Sequence, residues 1–258
     1  MNSEMHIALL QAPLVWEGPK ANRESFQRRI LELPPEVDLA VLPEMFSSGF
    51  SMEPWKVDSS EGPRTLDWMK ELAQSHDLAL VGSLIFEEGG SYFNRLLFVH
   101  PQGGVDVYDK RHLFTLAGED RAYRAGNHKT LVEYRGFKFC PLICYDLRFP
   151  VWSRNVEGYD ALIYVANWPE PRIGAWDGLL QARAIENMAY CIGVNRVGTD
   201  AQGHRYPGHS AVYDMLGKPL CFSQREETLY AVLDKKALAE QREKLRFLED
   251  MDRFNLSV

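Results

Sequence analysis

Three strand-like runs in this 258-residue chain each end on a side chain that can take part in covalent chemistry. Residues 137–143 end on Cys144, residues 37–43 end on Glu44, and residues 104–109 end on Lys110. A thiol, a carboxylate and an ammonium therefore stand where three strands stop. Cys144 is followed at once by YDLRFP, a polar and charged turn of the kind that presents a nucleophile.

These residue types match the needs of carbon–nitrogen bond hydrolysis by a thiol. The reaction needs a base for the thiol proton, a cation or donors for the oxyanion, and an acid for the departing amine. A nearby ammonium lowers a thiol pKa, and partial burial raises a glutamate pKa toward a useful range. Because the carboxyl ends of parallel strands share one sheet edge, we expect Glu44, Lys110 and Cys144 to converge there. Antiparallel pairing would scatter them instead.

Strands and helices that must position these residues alternate along the chain. Apolar runs predict strands at residues 6–10, 37–43, 78–86, 93–99, 104–109, 129–134, 137–143, 161–166, 191–197, 209–213 and 229–233. Helices are predicted at residues 20–33, 64–76, 148–157, 173–190 and 235–247. Two of the strand runs are almost wholly apolar, which indicates coverage on both faces. We expect an α/β fold with helices outside and sheets inside, as a single domain over residues 1–258.

Composition argues against several classes of function. The formal charge of −7 and the pI of about 5.6 leave no basic surface for a phosphate backbone, so we expect a small-molecule partner and no nucleic acid. No window approaches the roughly 18 apolar residues of a membrane span, and the N-terminus lacks signal-peptide features. These patterns predict a soluble, cytoplasmic protein. Four cysteines without CxxC spacing and seven scattered histidines indicate neither a metal site nor a cofactor.

Several motifs resemble those of the nitrilase superfamily, in its amidase branch. LPEMF (42–46), YDKRHLF (108–114) and CYDLRFP (144–150) occur in its order and approximate spacing, and HIALLQAP, VANW (165–168), ARAIEN (182–187) and GHSAVYDMLG (208–217) extend the similarity. The resemblance implies a four-layer α-β-β-α sandwich. It also implies Glu44 as general base, Lys110 as stabiliser of the oxyanion and intermediate, and Cys144 as nucleophile. Many members carry a second glutamate shortly after the lysine, and Glu119 occupies that place here.

Residues that follow the nucleophile are candidate substrate contacts. The backbone N–H of Tyr145 is a candidate oxyanion donor, because turn amides at a strand end commonly face outward. Arg148 is either a surface charge at a helix start or a bidentate partner of a substrate carboxylate, and Arg172 competes for the second role. Asn167 and Trp168 end another strand, where both are candidates for the pocket wall. A packed core position fits Trp168 equally well.

The nucleophile sequence narrows the expected substrate. True nitrilases usually show Cys-Trp-Glu at the nucleophile and carbamoylases have an Arg-rich variant, whereas CYDLRFP resembles the omega-amidase group. The resemblance implies hydrolysis of the terminal amide of a 2-oxo dicarboxylic acid monoamide, such as 2-oxoglutaramate or 2-oxosuccinamate, to the acid and ammonia. A cysteine thioester would be the intermediate, and no cofactor is required.

Other functions compete with this interpretation. The scaffold supports activity on another small amide, an N-carbamoyl compound or a nitrile, and a silent descendant would bind ligands without turnover. A Cys–His hydrolase would use Cys144 with His112 or His209. A Glu44→Gln variant distinguishes that scheme, because a histidine base would leave it active.

The C-terminal stretch 247–258 is expected to contact another subunit. It retains Phe247, Leu248, Met251, Phe254 and Leu256, and an apolar tail needs a surface to pack on. Members of the resembled superfamily often dimerise with C-terminal segments that cross between subunits. The sequence therefore predicts a homodimer.

Overall fold

A computed structural model describes residues 3–256 of the chain. Its strands, in chain order, are β1 (Glu4–Gln11), β2 (Leu39–Val41), β3 (Ala79–Glu88), β4 (Ser91–Val99), β5 (Val105–Asp109), β6 (Val132–Tyr134), β7 (Phe137–Ile143), β8 (Ala161–Ala166), β9 (Tyr190–Asn195), β10 (Val197–Thr199), β11 (Arg205–Pro207), β12 (Ser210–Tyr213), β13 (Pro219–Ser223) and β14 (Glu227–Asp234). The helices are α1 (Pro19–Leu31), α2 (Glu61–His76), α3 (Glu119–Ala122), α4 (Pro150–Ser153), α5 (Ile173–Asn187) and α6 (Lys235–Leu245).

Twelve of these strands form two six-stranded sheets. The first has the order β14-β1-β2-β3-β4-β5, and the second has the order β13-β12-β9-β8-β7-β6. Each sheet has a parallel centre, made of β1, β2 and β3 in the first and of β7, β8 and β9 in the second. Strands β10 and β11 form a separate antiparallel hairpin.

The hydrophobic core lies in layers that explain the apolar strand runs. One cluster packs the two sheets together through side chains such as Ile7, Val81 and Phe139. A second cluster packs the other face of the first sheet against α1 and α2, through residues such as Phe26 and Met69. Helix α5 covers the second sheet beside β9. Apolar residues on both faces of a strand require cover on both sides, and the predicted four-layer sandwich is confirmed.

Strand direction decides which strand ends meet. Strand β5 is antiparallel to β4, and β4 is antiparallel to β3. Two reversals leave β5 running in the same direction as β2 and β3. The residues that follow β2 and β5 therefore emerge at the same edge of the first sheet, in spite of the antiparallel pairing. Cys144 follows β7 of the second sheet, so the expectation that all three strand ends share one sheet edge is wrong.

The predicted helix at residues 148–157 is wrong over most of its length. Cys144–Arg148 forms a 3-10 turn, and α4 contains only four residues. Pro150 begins α4, where its missing N–H is not needed. The backbone of Arg154 leaves the helical region, and the buried Asn155 bonds to Asn187 of α5 instead of continuing the helix.

Strand β11, helix α3 and strand β13 have no counterpart among the predicted elements, and β10 overlaps the predicted strand 191–197 only at Val197. Strand β11 has three residues, α3 is a single turn, and β13 is a partly exposed edge strand. Strand β11 and α3 are too short to show a periodic apolar pattern, and β13 leaves its apolar Leu220 and Phe222 exposed instead of alternating between buried and exposed. Within residues 3–256, every helix is too short or too polar to cross a membrane.

Candidate active site

A buried ion cluster lies at the edge of the first sheet. Glu44 follows β2, Lys110 follows β5, and Glu119 begins α3, and all three side chains are fully buried. The Lys110 Nζ lies 2.8 Å from Glu44 Oε1, and 3.0 and 2.8 Å from the two carboxylate oxygens of Glu119. The structure thus brings two of the predicted residues, Glu44 and Glu119, into contact with the ammonium of a third, Lys110.

Asn94 completes this cluster and was not predicted from the sequence. Its Nδ2 donates to Glu44 Oε1 at 2.8 Å and to Glu119 Oε1 at 3.0 Å. Its backbone carbonyl accepts a hydrogen bond from the backbone N–H of Lys110 at 3.0 Å. One asparagine on β4 therefore contacts all three charged residues. The available signal was weak, since Asn94 stands beside the charged Arg95 at the start of the apolar run 96–99.

Asn167 joins the cluster to the second sheet. It follows β8, and its backbone N–H donates to Glu44 Oε2 at 2.8 Å. Its side-chain Nδ2 donates to the Glu44 carbonyl at 2.6 Å. The glutamate carboxylate is consequently held by Asn94 and Lys110 from one sheet and by Asn167 from the other. Such bonds fix the direction in which the carboxylate points.

Cys144 begins the turn after β7 in a strained backbone conformation. Its φ of 44° lies in the left-handed region, which costs a residue with a side chain about 1–3 kcal/mol. Sharp strand-to-turn junctions of this kind expose a nucleophile at the top of a sheet. Cys144 here is only 9% exposed. A substrate can reach it from one side, through the cavity described below.

Burial and charge set the protonation states of the cluster. Burial would lower the pKa of the Lys110 ammonium, but the charges of Glu119 and Glu44 outweigh this, and that pKa is raised. Burial raises the pKa of the Glu119 carboxyl, against the opposing charge of Lys110. Burial followed by the Glu44 charge raises the pKa of the Cys144 thiol well above its ordinary value, although Lys110 acts in the opposite direction.

The resting thiol is therefore neutral. The expectation that the neighbouring ammonium would produce a thiolate is incomplete, because burial and the Glu44 charge act more strongly on the pKa of Cys144. A hydrogen bond from the neutral thiol to Glu44 acts in the same direction. The geometry suits a base that removes the proton during the attack.

A cavity of about 350 Å³ opens onto the thiol. The four residues predicted as substrate contacts all line it, as does the competing arginine: Tyr145, Arg148, Asn167, Trp168 and Arg172. Sequence reasoning missed other lining residues, among them Phe50 and Phe114, and Asp200, His204 and Tyr206 from the β10–β11 hairpin. These residues belong to loops and to a three-residue strand, which lack the apolar periodicity from which elements are predicted.

The two arginines of the cavity lie against aromatic rings. The Arg148 guanidinium is 5.0 Å from the centre of the Trp168 ring, and that of Arg172 is 5.2 Å from the centre of the Phe114 ring. Among residues 3–256, neither guanidinium pairs with a carboxylate. Trp168 is also largely buried against Trp176, so it serves both the core and the wall.

The two histidines considered as alternative bases have carboxylate partners of their own. The Nδ1 of His112 lies 2.8 Å from Asp146, and its ring stacks on Phe149 with centroids 3.7 Å apart. The Nδ1 of His209 lies 3.0 Å from Asp177. After burial, the groups that act most strongly on the pKa of the Cys144 thiol are Glu44, Lys110 and Glu119. This arrangement favours the carboxylate over either imidazole as the base.

Comparison with known proteins adds an independent line of information. Residues 6–243 match the family model described as Carbon-nitrogen hydrolase. The chain is 45% identical over 254 residues to Omega-amidase YafV of Escherichia coli, and the match covers 98% of each sequence. It is 31% identical over 251 residues to a 2-oxoglutaramate amidase of Bacillus subtilis, with 95% of this chain and 96% of that one covered.

A solved structure matches the whole fold. A CN-hydrolase superfamily protein from Xanthomonas campestris, crystallised with an arsenic adduct in its active site, superimposes with a TM-score of 0.96. The two chains are 39% identical, and each is covered completely.

Proposed function

Since the chain belongs to the carbon–nitrogen hydrolase family, in the omega-amidase-like branch of the nitrilase superfamily, and is an omega-amidase-type amide hydrolase, we propose that it acts on small 2-oxo dicarboxylic acid monoamides. 2-Oxoglutaramate and 2-oxosuccinamate are the expected substrates. The Bacillus subtilis relative, a 2-oxoglutaramate amidase, supports this choice. The products would be the 2-oxo dicarboxylic acid and ammonia.

One observation carries the proposed chemistry. The buried cluster of Glu44, Lys110 and Glu119 acts electrostatically on a thiol that lines a cavity of substrate size. We assign Cys144 as the nucleophile, Glu44 as the general acid–base and Lys110 as the stabilising cation. Glu119 would hold the Lys110 ammonium in place, because it accepts two hydrogen bonds from it.

The first stage forms a thioester. As the Cys144 sulfur attacks the amide carbon, its proton passes to Glu44. The carbonyl oxygen becomes an oxyanion, which the Lys110 ammonium and the Tyr145 N–H would stabilise. Glu44 then returns the proton to the nitrogen, the carbon–nitrogen bond breaks, and ammonia leaves. A neutral resting thiol suits this order, since no thiolate is needed before the substrate arrives.

The second stage hydrolyses the thioester. Glu44 takes a proton from a water molecule as the water oxygen attacks the acyl carbon. The carbon–sulfur bond breaks, the proton passes to the sulfur, and the acid is released. The same carboxylate thus serves as base and acid in both stages, which fits its fixation by bonds from both sheets.

The unpaired guanidiniums support an anionic substrate. Arg148 and Arg172 line the cavity and lack carboxylate partners in the described chain, so a substrate carboxylate would supply the missing charge. The lining carboxylate of Asp200 is already occupied. It accepts from the Tyr206 hydroxyl at 2.9 Å and from the backbone N–H of Gln202 and of His204. An ammonium on the substrate would meet two like charges here, which favours 2-oxo acids over amino acids.

A substrate panel tests this function. Ammonia release is measured with short amides and nitriles of matched length, each with and without a distal carboxylate, and with a 2-oxo or 2-amino group. We expect turnover to be greatest for the 2-oxo monoamides. Activity on nitriles alone would contradict the amidase assignment, and ligand binding without any turnover would favour a non-catalytic protein.

We also propose that the single domain dimerises through its C-terminal tail. Within the described part of the tail, Phe247, Phe254 and Leu256 remain substantially exposed, and the segment runs beside α4. Residues 257 and 258 of the predicted contact segment lie outside the described residues. A sedimentation mass of two chains at micromolar concentration is expected, and removal of residues 252–258 should weaken the association. A mass of one chain would contradict the proposal.

A further inference from the structure

Asp146 is a buried carboxylate that the proposed chemistry does not use. It stands two residues after Cys144 and is completely buried. Removing a carboxylate from water costs several kcal/mol unless it is fully hydrogen-bonded, on the order of the net stability of a small domain. Asp146 accepts four hydrogen bonds, which compensates for this burial and points to a specific role.

The four donors come from two different parts of the active site. The backbone N–H of Ile143, directly before the nucleophile, donates to Oδ2 at 3.0 Å. The Tyr108 hydroxyl donates to the same oxygen at 2.7 Å. His112 donates to Oδ1 through its backbone N–H at 3.0 Å, and its ring Nδ1 lies 2.8 Å from that oxygen. Tyr108 and His112 flank Lys110 by two residues on each side.

One carboxylate therefore connects the end of β7, which carries the thiol, to the segment that carries the ammonium. The two segments belong to different sheets. Asn167 also connects the two sheets, but it binds Glu44 rather than Lys110. Asp146 supplies the connection on the lysine side.

The surroundings make this connection rigid. The Tyr108 oxygen accepts from Trp152 Nε1 at 3.0 Å, and the His112 ring stacks on Phe149 within 5° of parallel. Burial and the Asp146 charge raise the pKa of the Tyr108 phenol well above its ordinary value, so the hydroxyl remains a donor throughout the working pH range. The side chains of Trp152 and Phe149 thus fix the positions of Tyr108 and His112, which donate hydrogen bonds to the carboxylate.

The bond to Ile143 also bears on the strained nucleophile. Asp146 is the third residue of the turn that Cys144 begins, and its side chain caps the backbone N–H that precedes this turn. A positive φ at a residue with a side chain persists only where the surrounding contacts determine it. Asp146 provides such a contact from within the same turn.

We infer that Asp146 is a positioning residue that sets the distance between the Cys144 thiol and the Lys110 ammonium by joining their two segments. It does not touch the reacting atoms. The inference rests on the proposed roles of Cys144 and Lys110. A displacement of about 1 Å in a reacting group is enough to reduce turnover on the order of 100-fold.

The test compares Asp146→Asn with a matched control. Asparagine keeps the size of the side chain, but its NH₂ group cannot accept from Tyr108 or His112. We expect kcat to fall about 100-fold while KM changes by less than about threefold, since the binding arginines are untouched. Asp160→Asn is the control, because Asp160 is also a buried carboxylate and accepts bonds from Lys138, Lys235 and Arg242 away from the site.

The control variant is expected to lose stability and to keep kcat within about twofold. Equal kcat losses in both variants at equal folded fraction would assign Asp146 a purely structural role and overturn the inference. If Asp146→Asn does not fold, the Tyr108→Phe variant tests the inference instead. It removes one donor and keeps the ring, and we expect kcat to fall about tenfold, the equivalent of one hydrogen bond. An unchanged kcat there would also overturn the inference.

A second measurement separates this inference from the proposed function. The rate at which methyl methanethiosulfonate labels Cys144 depends on thiol activation and needs no amide substrate. We expect labelling to be about tenfold slower in Asp146→Asn and unchanged in Asp160→Asn. Failure of the unmodified enzyme to release ammonia from any amide would contradict the proposed function alone. An unchanged labelling rate in Asp146→Asn would contradict the positioning role alone.

Discussion

The two sides of the cavity differ in how their charges are compensated. On the inner side, the Lys110 ammonium lies between two fully buried carboxylates, at 2.8 Å from each of Glu44 and Glu119. On the outer side, Arg148 and Arg172 are only partly buried and, within the described residues, have aromatic neighbours but no ion pair. The charges on the inner side are thus paired within the protein, whereas the two guanidinium charges on the outer side have no carboxylate partner in the described chain.

This difference separates chemistry from recognition. Groups that must act on a substrate in the transition state are most effective when they are oriented before it binds. Hydrogen bonds from both sheets achieve this for Glu44. A guanidinium that is to bind a carboxylate must instead remain free of an internal partner. Mutations on the inner side should therefore affect turnover and stability, and those on the outer side should affect substrate binding.

Loss of the nucleophile should have the largest effect. In Cys144→Ser the sulfur is replaced by an oxygen of similar geometry, so the chain should fold, and turnover should fall by at least about 10³-fold. Cys221→Ser, at a half-buried thiol distant from the cluster, is the matched control and should keep its activity. Steady-state ammonia release checks both variants. Substantial release by Cys144→Ser would contradict the nucleophile assignment.

Neutralising the base should have the next largest effect. Glu44→Gln preserves the size of the side chain but cannot take the thiol proton, and we expect turnover to fall about 10²–10⁴-fold. A histidine-based mechanism would instead leave this variant active. Single-turnover measurement of acyl-enzyme formation distinguishes the two schemes. Comparable losses in His112→Gln and none in Glu44→Gln would show that the wrong base has been assigned.

The free energy of unfolding distinguishes the inner side of the cavity from the outer side most directly. Lys110→Met leaves two buried carboxylates without their cation, and we expect a loss of about 3–5 kcal/mol in the free energy of unfolding. Arg172→Ala removes a cation that has no internal carboxylate partner, and its effect should stay within about 0.5 kcal/mol. Urea unfolding monitored by tryptophan fluorescence measures both. Equal losses would mean that the outer arginine is as integral to the fold as the inner lysine.

The smallest expected effect concerns substrate binding. Replacement of the arginine that binds the substrate carboxylate should raise KM about 10–100-fold with little change in kcat, the equivalent of a charged hydrogen-bonded pair. Arg148→Ala and Arg172→Ala show which residue performs this role. A substrate without the distal carboxylate is the control, because it should respond to neither variant. A fall in kcat alone would place the arginine in the catalytic machinery.

Much of the fold followed from local patterns. Strands β7 and β8 have the predicted bounds, because continuous apolar runs closed by polar residues are a strong local signal. The boundaries around α4 did not follow, because Asn155 is held by Asn187, a contact across 32 positions that no local period records. The β10–β11 hairpin was missed for a related reason, since its strands have three residues each.

The candidate site was predictable to a similar degree. Residue type and position after a strand indicated Glu44, Lys110 and Cys144, and family resemblance indicated Glu119. Nothing local distinguishes Asn94 from an asparagine that bonds to solvent. Its role depends on pairing between β4 and β5, which brings its backbone carbonyl to the Lys110 N–H, and on its side-chain bonds to Glu44 and Glu119.

The sequence by itself determined which chemistry is available: a thiol, a carboxylate and an ammonium, each at the end of a strand-like run. Tertiary structure alone decided that they meet, because two successive antiparallel pairings turn β5 back to the direction of β2. It also decided that the thiol is neutral at rest. Burial depends on every layer around the site, and its effect on the pKa of Cys144 exceeds that of the nearby ammonium.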